Sequence, residues 1–298
     1  MNLFQSVDEI LHDPNVIFIP GFLILILIEL YFSNRLHIAD NFELKDTFAD
    51  LNLGTGSLII GIFTKALAFI FFTYLNKFSI FHFQMNQWYA LLLLLFADDF
   101  TFYWFHRLAH EVRFLWASHS NHHSSEKYNF AVALRQPWVD LFFSFIFWGW
   151  LAILGFPAIM ILSMHAFSLV YQFFVHTRVV RKLGFIEKFM NTPSHHRVHH
   201  ASNVRYLDRN HGGIFIIWDK LFGTYEEEKE APVYGLTSNI NTYNIFKIAF
   251  HEYIALWKDI KKAPDFKTKL KYVFMPPGWS HDGKTKTSDE LRSEFSLK

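Results

Sequence analysis

Residues 87–110 have the sequence QWYALLLLLFADDFTFYWFHRLAH. The first part of this stretch is apolar except for Asp98 and Asp99, and the stretch ends with His106 and His110 close together. About 20 predominantly apolar residues are enough for an α-helix to cross the hydrocarbon core of a bilayer. Two His four residues apart lie on one face of such a helix. The stretch therefore predicts a membrane-spanning helix that brings two imidazoles to one end of a helical bundle.

The rest of the chain shares this apolar character. Hydrophobic residues make up 51% of the 298 residues and charged residues only 18%, whereas soluble proteins carry about 25% charged residues. The sequence Gly155-Phe156-Pro157 should break a helix and produce a hairpin. We predict membrane-spanning segments at residues 16–33, 57–75, 87–105, 138–154 and 158–176.

The predicted fold is an all-α integral membrane protein with a single domain, residues 1–298. Lys and Arg favour cytoplasmic connections, and nearly all of the 28 basic residues fall on one side of the five predicted spans. This bias predicts an N-terminus outside and a cytoplasmic helical cap, residues 106–136 and 177–298, that carries the His cluster. The absence of Cys excludes disulfides, Cys-ligated zinc and iron–sulfur clusters. A net charge of +1 gives no indication of a nucleic-acid partner.

Many of the 17 His are concentrated in three closely spaced groups. The first has the spacing His-x-x-x-His, and the second and third both have the spacing His-x-x-His-His. Residues three and four apart share a helix face, so each group can present two or three imidazoles to a common centre. One zinc or iron usually takes three or four ligands from a protein, so eight imidazoles predict a two-metal site. Its predicted ligands are His106, His110, His119, His122, His123, His196, His199 and His200.

Ligand type alone leaves iron and zinc open, because imidazole suits both metals. His195 lies four residues before His199, so it could replace His196 as a ligand. His176 should lie at the cytoplasmic end of the fifth span, level with the clusters, and we expect it to contact the metal site.

Charged residues inside a membrane span need an explanation, because each costs roughly 2.5–3.5 kcal/mol at the centre of a membrane helix. We consider Lys65 in the second predicted span and Asp98 and Asp99 in the third. One interpretation is mutual pairing across a helix interface. The other is that Asp99 orients a metal-binding His from a neighbouring helix, as carboxylates often do.

The three His groups and the segment Trp218–Tyr225 resemble the sterol desaturase and fatty acid hydroxylase superfamily of membrane diiron enzymes. Within it, the chain is similar to alkylglycerol monooxygenase and its bacterial relatives. The similarity runs from residue 95 to about residue 280, which is more specific than isolated His groups. The matching segments are 103–112, 122–136, 191–200, 234–242 and 277–279.

The resemblance implies that the eight predicted His hold two iron ions. It also points to Glu111 as a candidate for catalysis or for binding the reductant. Asp208, Asn210 and His211 match a polar stretch after the third His group, where they could act in catalysis, orient a ligand or, for His211, bind metal. A solvated acid at Glu111 and a loop-shaping turn at residues 208–211 are the structural alternatives.

The resemblance further implies an O₂-dependent monooxygenase that hydroxylates a C–H bond of a membrane lipid with electrons from tetrahydrobiopterin or another donor. Hydroxylation next to an ether oxygen gives a hemiacetal, which breaks down to an aldehyde and an alcohol. The ether-linked carbon of an alkylglycerol, a fatty acyl group and a sterol group are all open as targets. A desaturase of the same superfamily and a dizinc membrane hydrolase are the alternative functions. A metal transporter is disfavoured because the His groups are predicted on one membrane face.

Overall fold

The computed structural model of the chain describes residues 19–38 and 40–297. Within these ranges the chain is helical and forms no β-strand, only isolated bridges between Met190 and Phe215 and between Ala201 and Tyr234. This confirms the predicted all-α fold class. The α-helices are α1 (Ile19–Arg35), α2 (Leu44–Asn76), α3 (Trp88–Glu111), α4 (Arg113–His123), α5 (Gly149–Leu154), α6 (Ala158–Val175), α7 (Pro193–His199), α8 (Ile217–Phe222), α9 (Ile245–Lys262), α10 (Phe266–Phe274) and α11 (Ser288–Ser296).

Three of the described helices, α2, α3 and α6, are long and apolar enough to cross a membrane. The most apolar window of α2 has a mean hydropathy of 2.1, yet only 22% of it is buried inside the protein. An apolar surface this exposed needs lipid around it. The integral membrane character predicted from the sequence is therefore confirmed. α1 has 17 described residues, and residues 16–18 of the predicted first span lie outside the described residues.

The fourth predicted span, residues 138–154, is not one helix. It consists of the 3₁₀ turns Asp140–Phe142 and Ser144–Trp148 followed by α5. The reason is tertiary: Trp138 Nε1 donates to the Leu53 carbonyl at 2.9 Å, and Trp148 Nε1 donates to Asp98 Oδ1 at 2.7 Å. These indole contacts hold the segment across α2 and α3 in short turns. Two other predicted spans are longer as helices, because α2 begins at Leu44 and α3 continues to Glu111.

The helix break predicted at Gly155-Phe156-Pro157 lies between α5 and α6. Gly155 has φ 125°, and an added Cβ there would lie 2.1 Å from the Phe81 carbonyl oxygen, so only glycine fits. Phe156 stacks on Phe83 with ring centroids 4.3 Å apart. The turn therefore closes the apolar core that α2, α3 and α6 share.

The elements that carry the His groups meet at one end of this bundle. α3 ends at Glu111, and α4 begins two residues later and packs against α3 and α9. Arg113 at the start of α4 forms ion pairs with Glu252 and Asp259 of α9 at 2.9 and 2.7 Å. α9 thus holds α4 in place beside the end of α3, where the second His group follows the first.

Candidate metal centre

Nine buried or half-buried imidazoles converge in two adjoining groups, in each of which the ligand atoms lie within 4.8 Å of one another. We call them group one and group two. The residues of group one lie on α3, α4 and α7. Those of group two lie on α4, on α7 and at the positions that directly follow α6 and α7. Group one consists of His106, His110, His119, His123 and His199, and group two of His122, His176, His196 and His200.

The Nε2 atoms within each group face one another. In group one, His119 Nε2 lies 2.9 Å from His106 Nε2 and 3.1 Å from His123 Nε2. In group two, His176 Nε2 lies 3.2 Å from His122 Nε2 and 3.0 Å from His196 Nε2. Two nitrogens bound at right angles to one ion, each about 2.1 Å from it, are about 3.0 Å apart. The spacing in both groups is therefore that of ligands around a single ion.

Backbone carbonyls determine which ring nitrogen of four of these His carries the proton. A carbonyl only accepts a hydrogen bond, so each Nδ1 must donate and each Nε2 must present a lone pair. The donors are His106 to the His211 carbonyl at 2.8 Å, His122 to the Arg135 carbonyl at 3.3 Å, His176 to the Gln172 carbonyl at 2.7 Å and His199 to the Arg209 carbonyl at 2.9 Å.

Between His122 and His176, both Nε2 atoms therefore present lone pairs, which repel each other at 3.2 Å, whereas a cation between them is stabilised. In addition, the buried Nε2 atoms of His110, His199 and His200 have no hydrogen-bond partner, although buried polar atoms normally have one. Both observations fit metal ions in the two groups, and the all-nitrogen ligand set is compatible with iron.

Burial keeps the imidazoles outside the membrane helices neutral. The pKa of His176 is lowered to about 4 by burial. Burial, together with the neighbouring His, lowers the pKa well below 6.5 for His119, His122, His123, His196, His199 and His200. Only a neutral imidazole binds metal, so the site is in its binding form at neutral pH.

The remaining His candidates have different positions. His195 lies outside both groups; its Nδ1 is 3.4 Å from the Thr192 hydroxyl, and its ring packs against Tyr225. His211 is fully buried beside group one, with its ring 5.0 Å from that of His110.

Asp208 lies next to group one. Its Oδ1 is 3.3 Å from His110 Nδ1, so it can orient this ring. Burial raises the pKa of Asp208 to about 6, and Arg292, 3.8 Å from its Oδ2, opposes part of that rise. Asn210 is committed to the backbone instead: its Nδ2 donates to the His195 and Glu226 carbonyls. Glu111 is half-exposed and forms an ion pair with Arg107 at 2.8 Å.

Asp99 does not orient a His, contrary to one of the two interpretations of its charge. Its oxygens accept hydrogen bonds from the backbone N–H groups of Ile214 and Phe215 at 2.6 and 3.0 Å, and from Trp218 Nε1 at 2.9 Å. The buried carboxyl of α3 therefore anchors the loop that follows His211.

A buried ion-pair network supports group two, and no sequence motif marks it. Arg135 Nη1 lies 3.0 Å from Asp46 Oδ1 and 2.8 Å from Asp50 Oδ1, while Arg135 Nε donates to the Asn121 carbonyl. The Arg135 carbonyl is also the partner of His122. Asp46 and Asp50 lie outside the apolar runs and more than 80 residues from Arg135, so only the fold connects them.

Glu29 of α1 forms a second support that the sequence analysis left without a role. It accepts hydrogen bonds from the Phe130 backbone N–H at 2.6 Å and from the Thr177 hydroxyl. Thr177 directly follows His176, so α1 is fixed to the segment that carries this group-two imidazole. The signal in the sequence was the single charge in the first apolar run.

Two cavities that share lining residues lie beside the imidazoles in the cap. The inner cavity, of about 120 Å³, is lined by His110, His123 and His199 of group one and by His200 of group two. The outer cavity, of about 590 Å³, lies between α9, α10 and residues 277–285. Residues that line both cavities are Trp116, Leu236, Thr237, Pro277 and Gly278.

The chain is similar to known lipid-oxidising proteins. The sequence model of the family described as fatty acid hydroxylase matches residues 91–224. Alkylglycerol monooxygenase from Homo sapiens is 38% identical over 282 residues, which cover 93% of this chain and 62% of the human protein. The Danio rerio protein of the same name is 36% identical over 289 residues, or 96% of this chain and 64% of that protein. An ornithine lipid hydroxylase from Rhizobium tropici is 31% identical over 148 residues, or 48% of this chain and 45% of that protein.

No solved structure matches this chain. The chain spans less than two thirds of the length of the animal relatives. The region matched by the family model contains all nine His of groups one and two. Both imidazole groups therefore lie within the region that the family model matches. The family match and the identity to these relatives both support a relationship to the fatty acid hydroxylase family and to the alkylglycerol monooxygenases.

Proposed function

We propose that this protein is a membrane-bound non-haem diiron monooxygenase that hydroxylates a C–H bond of a lipid. The observation that carries the proposal is the pair of buried imidazole groups, whose Nε2 atoms face one another at 2.9–3.2 Å at the end of apolar membrane helices. The similarity to alkylglycerol monooxygenases supports the ether-linked carbon of an alkylglycerol as the target.

In this proposal group one holds one iron ion and group two holds the other. The irons would supply activation of O₂ with electrons from an external reductant, tetrahydrobiopterin or another donor. The carbonyl partners of His106, His122, His176 and His199 keep Nε2 deprotonated and directed inward. Asp208 would orient His110 and accept part of the charge when this ring binds metal. His211 is the candidate for a further ligand to group one, and Glu111 and Asn210 have supporting roles at its edge.

In this proposal the lipid reaches the site from its apolar side, and the reductant and O₂ reach it from its polar side. Lipid would approach from the bilayer, since α2, α3 and α6 border the site with apolar surfaces. The reductant and O₂ would enter through the two cavities of the cap, which reach His110 and His200. We propose that this cap, formed by residues 106–136 and 177–298, faces the cytoplasm, that the N-terminus is outside and that the chain is one membrane domain.

Metal analysis and a lipid assay under ¹⁸O₂ test the proposal. The purified protein should contain about two irons per chain and, with a reductant, release an aldehyde from an alkylglycerol with ¹⁸O incorporation. Hydroxylation of an acyl chain would instead favour the chemistry suggested by the ornithine lipid hydroxylase relative. A double bond formed without ¹⁸O incorporation would indicate a desaturase. Zinc together with O₂-independent turnover would contradict the proposal and favour a hydrolase.

A further inference from the structure

Helices α9 and α10 each expose a row of large apolar side chains. Two members on α9, Phe246 and Phe250, also contact the ring of Trp138. On α9 the row has spacings of four, four and three residues, which keep it on one side of the helix. On α10 the spacing is four and four. Trp257 of α9 is 58% exposed and Phe266 of α10 is 73% exposed. We call these residues the apolar stripe: Phe246, Phe250, Ile254 and Trp257 on α9, and Phe266, Leu270 and Phe274 on α10.

Exposed lysines border the apolar stripe on both helices. The acidic residues in the same segment do not neutralise them, because Glu252 and Asp259 form ion pairs with Arg113 on the inner side of α9. Asp265 caps α10, its carboxylate accepting a hydrogen bond from the Thr268 backbone N–H. The outer surface is therefore positively charged through Lys247, Lys258, Lys261, Lys262, Lys267, Lys269 and Lys271.

The position of α9 corresponds to the depth of lipid headgroups. Ile248 and Ala249 on its inner face pack against Ala49 and Leu53 of α2. Leu53 lies four residues before position 57, where the apolar run of α2 begins, which is about 6 Å along the helix axis at 1.5 Å per residue. Amphipathic helices at an interface insert their apolar face about 5–10 Å into the headgroup and acyl boundary. The packing against α2 thus places α9 within that boundary layer.

We infer that α9 and α10 lie on the surface of the bilayer, with the apolar stripe inserted among the acyl chains and the lysines bound to anionic phospholipid headgroups. Three observations carry this inference: the stripe is exposed although it is apolar, cations border it, and α9 packs against a membrane-spanning helix. Trp257 suits the headgroup level, where indole rings are enriched. The inference does not depend on the proposed oxygenase chemistry, because it rests only on the membrane character of the bundle.

The absence of Cys allows a direct test on the full-length protein. Trp257→Cys and Leu270→Cys each place a single nitroxide spin label on the stripe, and Ser293→Cys on the exposed polar helix α11 is the matched control. The proteins are reconstituted in nanodiscs of phosphatidylcholine, with or without phosphatidylglycerol. Bound metal per chain reports that each variant is folded. Collision of the label with O₂, which concentrates in the bilayer, is compared with collision with a water-soluble nickel chelate.

We expect the labels at positions 257 and 270 to collide more with O₂ than with nickel, and the label at 293 to show the reverse. Phosphatidylglycerol should increase the depth at position 270, and Lys267→Gln with Lys271→Gln should remove that increase. Nickel accessibility at 257 and 270 equal to that at 293 would overturn the inference. Spin–spin broadening that disappears on dilution with unlabelled protein would also overturn it, since a second copy would then cover the stripe.

Discussion

His195 and His196 are neighbours in the sequence but have different surroundings. The His196 Nε2 atom lies 3.0 Å from that of His176 in group two, whereas His195 packs against Tyr225 outside both groups. The helical turn of α7 directs the two side chains about 100° apart. At the scale of single residues, this difference separates a candidate metal ligand from a His that packs outside both groups.

We predict that His196→Ala lowers the iron content to one ion per chain or less and reduces hydroxylation to background. The physical reason is the loss of one of four nitrogen ligands in group two. His195→Gln is the matched control and should keep both metal content and most of the activity. Elemental analysis of the purified proteins measures the effect, and equal metal loss in the two variants would contradict the assignment of group two.

Arg135 provides a second prediction at this scale. Arg135→Ala would leave the buried Asp46 and Asp50 without their cation, and breaking a buried ion pair in this way costs about 3–5 kcal/mol. Chemical denaturation in detergent should therefore show a large loss of stability, together with weaker metal retention at His122. Lys182→Ala removes an exposed pair with Glu227 and should cost no more than about 1 kcal/mol. Similar stabilities for the two variants would disprove the structural role of Arg135.

At the scale of elements, the loop at residues 208–218 connects the membrane helix α3 to the metal centre. The His211 carbonyl accepts from His106 Nδ1, Asp208 contacts His110, and the end of the loop is bound to Asp99. Asp208 has φ 52° and lies in the left-handed region, which is uncommon for residues other than glycine. One loop therefore positions two ligands of group one and is itself held from within the bundle.

We predict that Gly213→Ala destabilises this loop. An added Cβ would lie 2.7 Å from Asp99 Oδ1 and 2.8 Å from Phe102 Cδ1, so the Asp99 anchor would have to shift. Overpacking of this kind costs about 1–3 kcal/mol. The melting temperature and the iron content should both fall. Gly61→Ala in α2 is the control: its Cβ meets nothing within 4 Å, so it should be neutral or stabilising by up to about 1 kcal/mol. Unchanged metal retention in Gly213→Ala would contradict the anchoring role.

At the scale of the whole molecule, packing so many imidazoles in a buried site makes stability depend on pH. Burial lowers the folded-state pKa of His176 to about 4, while the value in an unfolded chain is about 6.5. A group with a lowered folded pKa stabilises the protein fully above the unfolded pKa, and this contribution is lost as the pH falls toward the folded pKa. The unfolded state binds protons first, so acid favours unfolding.

We therefore predict that metal-free protein loses stability as the pH falls from about 6.5 to about 4, while the folded, metal-loaded protein still keeps its ions at about pH 6. The sequence alone predicts metal release as the pH falls toward 5, because imidazoles with an ordinary pKa of about 6.5 must be neutral to bind, and burial moves the release lower. Unfolding midpoints of chelator-treated protein and bound metal after dialysis at each pH provide the measurements. Release of metal from folded protein at pH 6 would contradict the lowered pKa values.

Some parts of the fold and of the candidate site can be predicted from the sequence, and others cannot. Long apolar runs and His at helical spacing are local patterns. The bilayer thickness sets the length of an apolar run, and the helix repeat sets the spacing of the His. They were sufficient for the all-α membrane fold, for the eight His that the structure brings into the two groups and for the family. Residues 138–154 show the limit, since their apolar run resembles a span but the indole contacts of Trp138 and Trp148 hold it in turns.

The amino-acid sequence by itself determined the class of fold, the kind of ligand and the family, because each depends on the identity and spacing of nearby residues. Only the tertiary structure decided how the imidazoles divide into two groups, that His176 belongs to group two and that His195 lies outside both. It also decided that Arg135 and Asp99 act as supports. These features depend on contacts between residues that are 20 to more than 100 positions apart. Such contacts exist only once the helices have packed, excluded water and brought the ends of separate helices together.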